Sequence, residues 1–174
     1  MRVLVAYASA DGSTAEIAER IAGRLRGRGH EAAAVPARAV GGIATYDAVV
    51  VGSAVHGREW LEDADTFVQR HRAALAERPM WVFSVGMPDA LPRMFRKLAR
   101  TEETAIVDHL EGLVPEDHRL FSGVVKPGQF PLQSRIFLRL LGGRYGDFRD
   151  WAGINRWADG IAQRLDRLPA RTPR

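Results

Sequence analysis

The stretch Arg2-Val3-Leu4-Val5-Ala6-Tyr7-Ala8-Ser9-Ala10-Asp11-Gly12-Ser13-Thr14 decides the fold class, together with the segment that follows it. Arg2–Ala8 opens with a short apolar run suited to a strand buried on both faces. Over Ser13–Arg28, Ile17, Ile21 and Leu25 then recur at i, i+4 and i+8 with Ala18 and Ala22 beside them, the stripe of an amphipathic helix. Gly29 stands where a helix C-cap belongs. A strand, a turn of small and hydroxylated residues and a helix form the first unit of an alternating α/β chain.

The same alternation continues outward from this unit. Glu31–Val35 is a weak, Ala-rich strand, and Asp47–Ser53 (DAVVVGS) is the clearest one, because three consecutive β-branched valines favour extended backbone. Leu61–Ala76 is helical, with Leu61, Ala64, Phe67, Val68, His71 and Leu75 on one face. Met80–Val85 is a fourth strand, a helix is predicted over about Glu102–Leu113, and Arg119–Val125 is a fifth, less apolar strand. Trp151–Leu165 closes the series with Ile154, Trp157, Ala158, Ile161 and Leu165 on one face. Five strands separated by helices predict a parallel sheet covered on both faces, since parallel strands need crossovers. Residues 1–168 read as one doubly wound α/β domain, and 169–174, with two prolines and two arginines, as a disordered tail.

Composition narrows the function. A chain of 174 residues, 46% hydrophobic, is long enough to bury a core of its own. Without Cys it has no disulfides, no Cys-based zinc or iron–sulfur site and no thiol nucleophile, and it suits a reducing cytosol. No run approaches the ~18–20 apolar residues of a membrane span, and no signal peptide is read at the N-terminus. Charge is unevenly spread: residues 88–174 carry 15 Lys/Arg against 11 Asp/Glu, which accounts for the whole net +4. Arg119–Gly146 contains no acid, only Arg119, Lys126, Arg135, Arg139 and Arg144. This is either a solvated surface or an attractor of anionic partners.

In open parallel sheets, ligands bind beyond the C-terminal strand ends. Ser9-Ala10-Asp11-Gly12-Ser13-Thr14 stands there, immediately before a helix. Its N–H groups and hydroxyls could curl around a phosphate, with the helix dipole assisting. An Asp-Gly turn with Ser13 or Thr14 as helix cap explains the same residues. The third strand leads into Gly52-Ser53-Ala54-Val55-His56-Gly57-Arg58-Glu59-Trp60 and the fourth into Ser84-Val85-Gly86-Met87. Both begin with small residues that let backbone approach a flat ring. His56 and Trp60 are candidate stacking partners, Trp60 equally the first buried residue of the next helix.

These segments resemble the flavodoxin-like superfamily, whose phosphate loop is matched at Ser9, Gly12 and Thr14. The Asp11-Gly12-Ser13-Thr14 loop is similar to that of its menaquinone-dependent protoporphyrinogen oxidase branch. So are Gly52-Ser53-Ala54-Val55-His56-Gly57, Phe67-Val68-Gln69-Arg70-His71 and Asp150-Trp151 before the last helix. The resemblance covers roughly residues 2–165 and implies a five-stranded sheet in order 2-1-3-4-5 with one FMN, bound noncovalently. It implies that Ser9, Asp11, Gly12, Ser13 and Thr14 hold the phosphate, mainly through main-chain N–H groups. The ring would lie between Ser53, Ala54, Val55, His56 and Gly57 on one side and Ser84, Val85 and Gly86 on the other. Asp11 is repulsive towards a phosphate, so its carboxylate is expected to turn away and accept from loop N–H groups. The implied activity is an oxidoreductase passing electrons from a reduced small substrate through FMN to a quinone; the alternative is a non-enzymatic electron carrier. No side chain is assigned as catalytic, because the cofactor carries the chemistry.

Between the fifth strand and the last helix, Lys126–Phe148 is too long for a plain connection. Within residues 131–144, Ile136, Phe137, Leu138, Leu140 and Leu141 spread over about 200° of a helical wheel and Arg135 and Arg139 take the remainder. A basic-flanked apolar face suits packing on the domain itself, contact with a membrane or quinone pocket, or a homodimer interface. With quinone as acceptor, the expected place is the cytoplasm, at the inner face of the membrane. Electron-shuttle flavodoxins are usually acidic, whereas this chain has a pI near 10.1. A dinucleotide site needs G-x-G-x-x-G after the first strand, and a single Gly stands there. The five His show no metal-ligand spacing, Ser53 and Ser84 lack a defensible His–Asp partnership, and no aromatic platform accompanies the basic residues to suggest nucleic acid.

Overall fold

The computed structural model describes residues 1–56, 59–87, 110, 112–126, 128 and 144–169. The predicted helix over 102–113 and the amphipathic segment 131–144 lie almost entirely outside this set. In chain order the elements are β1 (Arg2–Ala8), α1 (Ser13–Gly27), β2 (Glu31–Pro36), β3 (Ala48–His56), β4 (Glu59–Trp60), α2 (Glu62–Ala76), β5 (Met80–Gly86), β6 (Asp117–Ser122), β7 (Val124–Val125), β8 (Gly146–Asp147) and α3 (Trp151–Asp166). The main sheet runs β2-β1-β3-β5-β6, every neighbouring pair parallel. This is the expected order once the short β4 is set aside.

Each central strand divides its side chains between two cores, as a sheet buried on both faces requires. Val3 and Val5 of β1 and Ala48 and Val50 of β3 face α1 and α3, where Ile17, Ile21, Leu25, Ile154, Trp157, Ile161 and Leu165 pack. Leu4 and Ala6, with Val49 and Val51, face α2 through Ala64, Phe67, Val68 and Leu75. Full burial of each large aliphatic side chain contributes about 1.5–3 kcal/mol. Gly29 closes α1 with φ +89°. The His30 N–H donates to Leu25 O at 3.2 Å and the Gly29 N–H to Arg26 O at 3.0 Å, the paired bonds of a Schellman cap.

Two elements depart from the sequence expectation, and both reshape the C-terminal edge of the sheet. The third strand, expected to end at Ser53, continues to His56, because β4 folds back on it with Val55 opposite Trp60 and His56 opposite Glu59. The expected fifth strand, Arg119–Val125, divides at Gly123. A Cβ at Gly123 would stand 2.9 Å from Val85 Cγ1 and 3.1 Å from Ser13 Oγ, so only a glycine lets the backbone pass so close. Beyond it, Val124 and Val125 leave the main sheet and pair with Gly146 and Asp147.

Gly52 has a comparable role inside the sheet. It stands opposite Phe83 across the β3–β5 ladder, and a Cβ there would overlap Cζ and Cε1 of the Phe83 ring. The ring lies in that gap and meets Trp157 edge-on and Phe121 tilted, each with centroids 6.1 Å apart.

Candidate functional site

A recess of about 280 Å³ opens at the C-terminal ends of β1, β3, β5 and β6, lined by Ala10, Asp11, Ser13, Thr14, Ala54, Val55, His56, Val85, Gly86, Met87, Gly123, Val124 and Val125. One end is the loop entering α1. Gly12 has φ +90° and sits at the helix N-cap position, a conformation that costs an L side chain about 1–2 kcal/mol and glycine nothing. Its N–H is held by Ser9 Oγ at 3.1 Å. The first helical bond runs from the Glu16 N–H to Gly12 O at 3.0 Å. The N–H groups of Ser13, Thr14 and Ala15 therefore precede any intrahelical acceptor, and the dipole adds partial positive charge to them.

Thr14 is the most informative side chain. It is 0% exposed, and its Oγ1 has no hydrogen-bond partner among the described residues. A buried hydroxyl left alone costs about 1–3 kcal/mol, and a polar group entering the recess that Thr14 lines would offset that cost. The other end of the recess is apolar, with Ala54, Val55, Val85, Met87, Val124 and Val125 as walls. All four Trp and all three Tyr are among the described residues, and none lines it; His56, exposed at the end of β3, is the aromatic residue at its rim.

Of the residues expected to meet a cofactor, Asp11, Ser13, Thr14, Ala54, Val55, His56, Val85 and Gly86 converge on this recess. Ser9 and Gly12 shape the loop from behind. Gly57 lies outside the described residues. Ser53 and Ser84 are buried and occupied elsewhere. Ser53 Oγ accepts from the Leu61 N–H at 3.0 Å and donates to Ala54 O at 2.9 Å. Ser84 Oγ accepts from Trp60 Nε1–H at 3.0 Å and stands 3.0 Å from His118 Nε2. Trp60 is thus a core residue, 8% exposed, and not a stacking platform. Nor does Asp11 cap the loop: Ser9 takes the Gly12 N–H, while the Asp11 carboxylate is exposed, lines the recess and has no partner among the described residues.

Sequence reasoning missed Gly123, Val124 and Val125, which form the fourth wall. The signal was the glycine inside an otherwise plausible strand, which marks a bulge or a close backbone approach. That wall is tied to α1. Arg149, whose side chain is 10% exposed, forms ion pairs with Asp147 of β8 and Glu16 of α1, both at 2.6 Å. Its hydrogen bonds to Asp147, above all, raise the Arg149 pKa and hold the Asp147 carboxyl below its ordinary value. The guanidinium also lies 4.6 Å from the centroid of the Trp151 ring.

Two further recesses among the described residues are larger. The one between β6 and α3, about 640 Å³, is lined by Glu116, Asp117, Arg119, Asp150, Arg156 and Arg164 among others. Those charges satisfy one another as Arg164–Glu116, Arg119–Asp117 and Arg156–Asp150 pairs. The other, about 760 Å³, is a shallow surface of α1 beside Trp151.

Over residues 4–146 the sequence matches the family model described as flavodoxin domain. No curated protein matches it. Among solved structures, rubredoxin oxygen:oxidoreductase from the anaerobe Desulfovibrio gigas is similar over 95% of this chain, with TM-score 0.62 and 18% identity; this chain spans 36% of that longer protein. A cysteine-to-serine variant of flavodoxin from Pseudomonas aeruginosa is similar with TM-score 0.60 and 16% identity, over 95% of this chain and 99% of that one. Flavodoxin 2 from Bacillus cereus is similar with TM-score 0.57 and 22% identity, over 94% and 99%. FMN is the cofactor that the family match implies, and the residues present fit it: the orphaned Thr14 hydroxyl and the helix N–H groups suit a phosphate, and the aliphatic walls suit the ring. By sequence match and by sheet order, the chain belongs to the flavodoxin domain family.

Proposed function

We propose that this protein is an FMN-dependent oxidoreductase, similar to menaquinone-dependent protoporphyrinogen oxidase, which takes electrons from a reduced small molecule and delivers them to a quinone-type acceptor. The observation that carries this reading is the recess itself, which joins a phosphate-binding end to an aliphatic end at the mouth of the sheet. FMN supplies the redox chemistry when bound. The chain's residues hold and orient it: the N–H groups of Ser13 and Thr14 and the Thr14 hydroxyl take the phosphate, while Val55, Val85, Met87, Val124 and Val125 exclude water from the ring. His56 at the rim borders the approach of a second molecule.

The β7–β8 ladder supports an enzyme over a simple carrier. Its two strands flank residues 127–143 in the chain, and Val124 and Val125 line the recess, so the basic, apolar insertion is joined to the chain at a wall of the proposed flavin site. We assign to residues 131–144 contact with the quinone or the membrane surface it occupies, or with a second copy of the chain. Among the described residues no helix is long and apolar enough to cross a membrane.

The test is turnover by the purified protein loaded with FMN, given a soluble menaquinone analogue and a reduced porphyrinogen under anaerobic conditions. Quinone reduction without any added protein supports the oxidoreductase. Turnover only when a flavodoxin reductase and a protein acceptor are both supplied would replace it with the carrier reading.

A further inference from the structure

The phosphate end of the recess carries a charge that works against its ligand. Asp11 is exposed, lines the recess and accepts no loop N–H among the described residues, since Ser9 Oγ holds Gly12. Among the described residues, no Lys or Arg lines the recess. Arg149, which reaches the first turn of α1, is already paired with Asp147 and with Glu16. Among the described residues, attraction for an anion comes from dipoles: the N-terminal N–H groups of α1 and the Thr14 hydroxyl, which is buried and has no partner there. A phosphomonoester carries close to two negative charges at neutral pH, and a carboxylate beside it is repulsive at any dielectric.

We propose that Asp11 is a charge filter in the phosphate loop, lowering affinity for the dianionic phosphate of FMN so that the flavin is held reversibly and exchanges with free cofactor. This inference rests on the FMN reading of the recess and adds a property to it. The donors on the helix supply the binding, and Asp11 sets its ceiling. Because the carboxylate is exposed, the repulsion is weakened by salt, whereas the hydrogen bonds of the buried hydroxyl are not.

The experiment is a fluorescence titration of the full chain and of Asp11→Asn with FMN and with riboflavin, which lacks the phosphate. Each is run at ~10 mM and ~1 M salt, where the screening length falls from about 30 Å to about 3 Å. Asp11→Asn is expected to bind FMN on the order of tenfold more tightly at low salt. The advantage should shrink at high salt, and riboflavin affinity should be the same in both proteins. Exposed and unpaired, residue 11 tolerates this change without loss of fold, which a thermal melt of each protein verifies. FMN affinity unchanged by Asp11→Asn, or an equal shift for riboflavin, would overturn the filter while leaving the flavin site standing. A parent protein that binds neither flavin refutes the flavin reading, and the filter with it.

Discussion

Thr14→Val separates a ligand-directed hydroxyl from a structural one. The two side chains share a β-branched shape, so the substitution exchanges Oγ1 for a methyl group with little change in packing. In the folded protein that oxygen is buried without a partner, a state worth about 1–3 kcal/mol of lost solvation. The valine variant should therefore be at least as stable as the parent without flavin; each kcal/mol gained raises Tm by about 2–4 °C in a domain of this size. With FMN the sign reverses. Losing one hydrogen bond to a charged phosphate costs about 1.5–3 kcal/mol, which weakens binding about 10- to 100-fold. Thermal melts of the flavin-free proteins, with fluorescence titrations of FMN and riboflavin, measure both effects. A variant that melts several degrees lower, or that binds FMN as the parent does, would show that Thr14 serves the fold and would remove the main support for the phosphate site.

Three further outcomes follow from the same geometry. Gly52→Ala drives a methyl group into the Phe83 ring and should cost about 1–3 kcal/mol or more; in thermal melts Phe83→Leu should recover part of the loss, and strictly additive effects would mean that the two residues do not touch. Gly12→Val should weaken FMN at least tenfold through the cost of φ +90°, since nothing within 4 Å obstructs a Cβ there; Gly12→Asn, which tolerates this backbone region better, should keep most of the affinity, and equal losses for both would assign the effect to size. His71 packs on Phe67 with ring centroids 4.9 Å apart, and burial, then Arg70, lowers its pKa. The unfolded chain therefore takes up this proton first, so stability is full above the ordinary histidine value near ~6.5 and declines as pH falls below it. Melts across that range should show the decline in the parent and a flatter curve in His71→Gln.

The chain's own order of residues determined a good deal about this protein. Apolar runs at β1, β3 and β5 with helical stripes between them leave few arrangements other than a covered parallel sheet, because period and crossover handedness are local constraints. The Asp11–Thr14 loop was equally legible, since a glycine and hydroxyls before a helix are adjacent in sequence and act through the adjacent backbone. Tertiary structure decided which groups remain available to a ligand. Ser53 and Ser84 have the same residue type and strand-end position as good candidates, yet their hydroxyls serve Leu61 and Trp60, partners that only chain reversal at β4 brings within reach. Trp60 became core and Thr14 stayed unpartnered for the same reason: hydrogen-bond satisfaction depends on what the fold places within about 3 Å. The fourth wall at Gly123–Val125 likewise exists only because a backbone without Cβ passes against Val85 and Ser13, a proximity between residues tens of positions apart that no local pattern encodes.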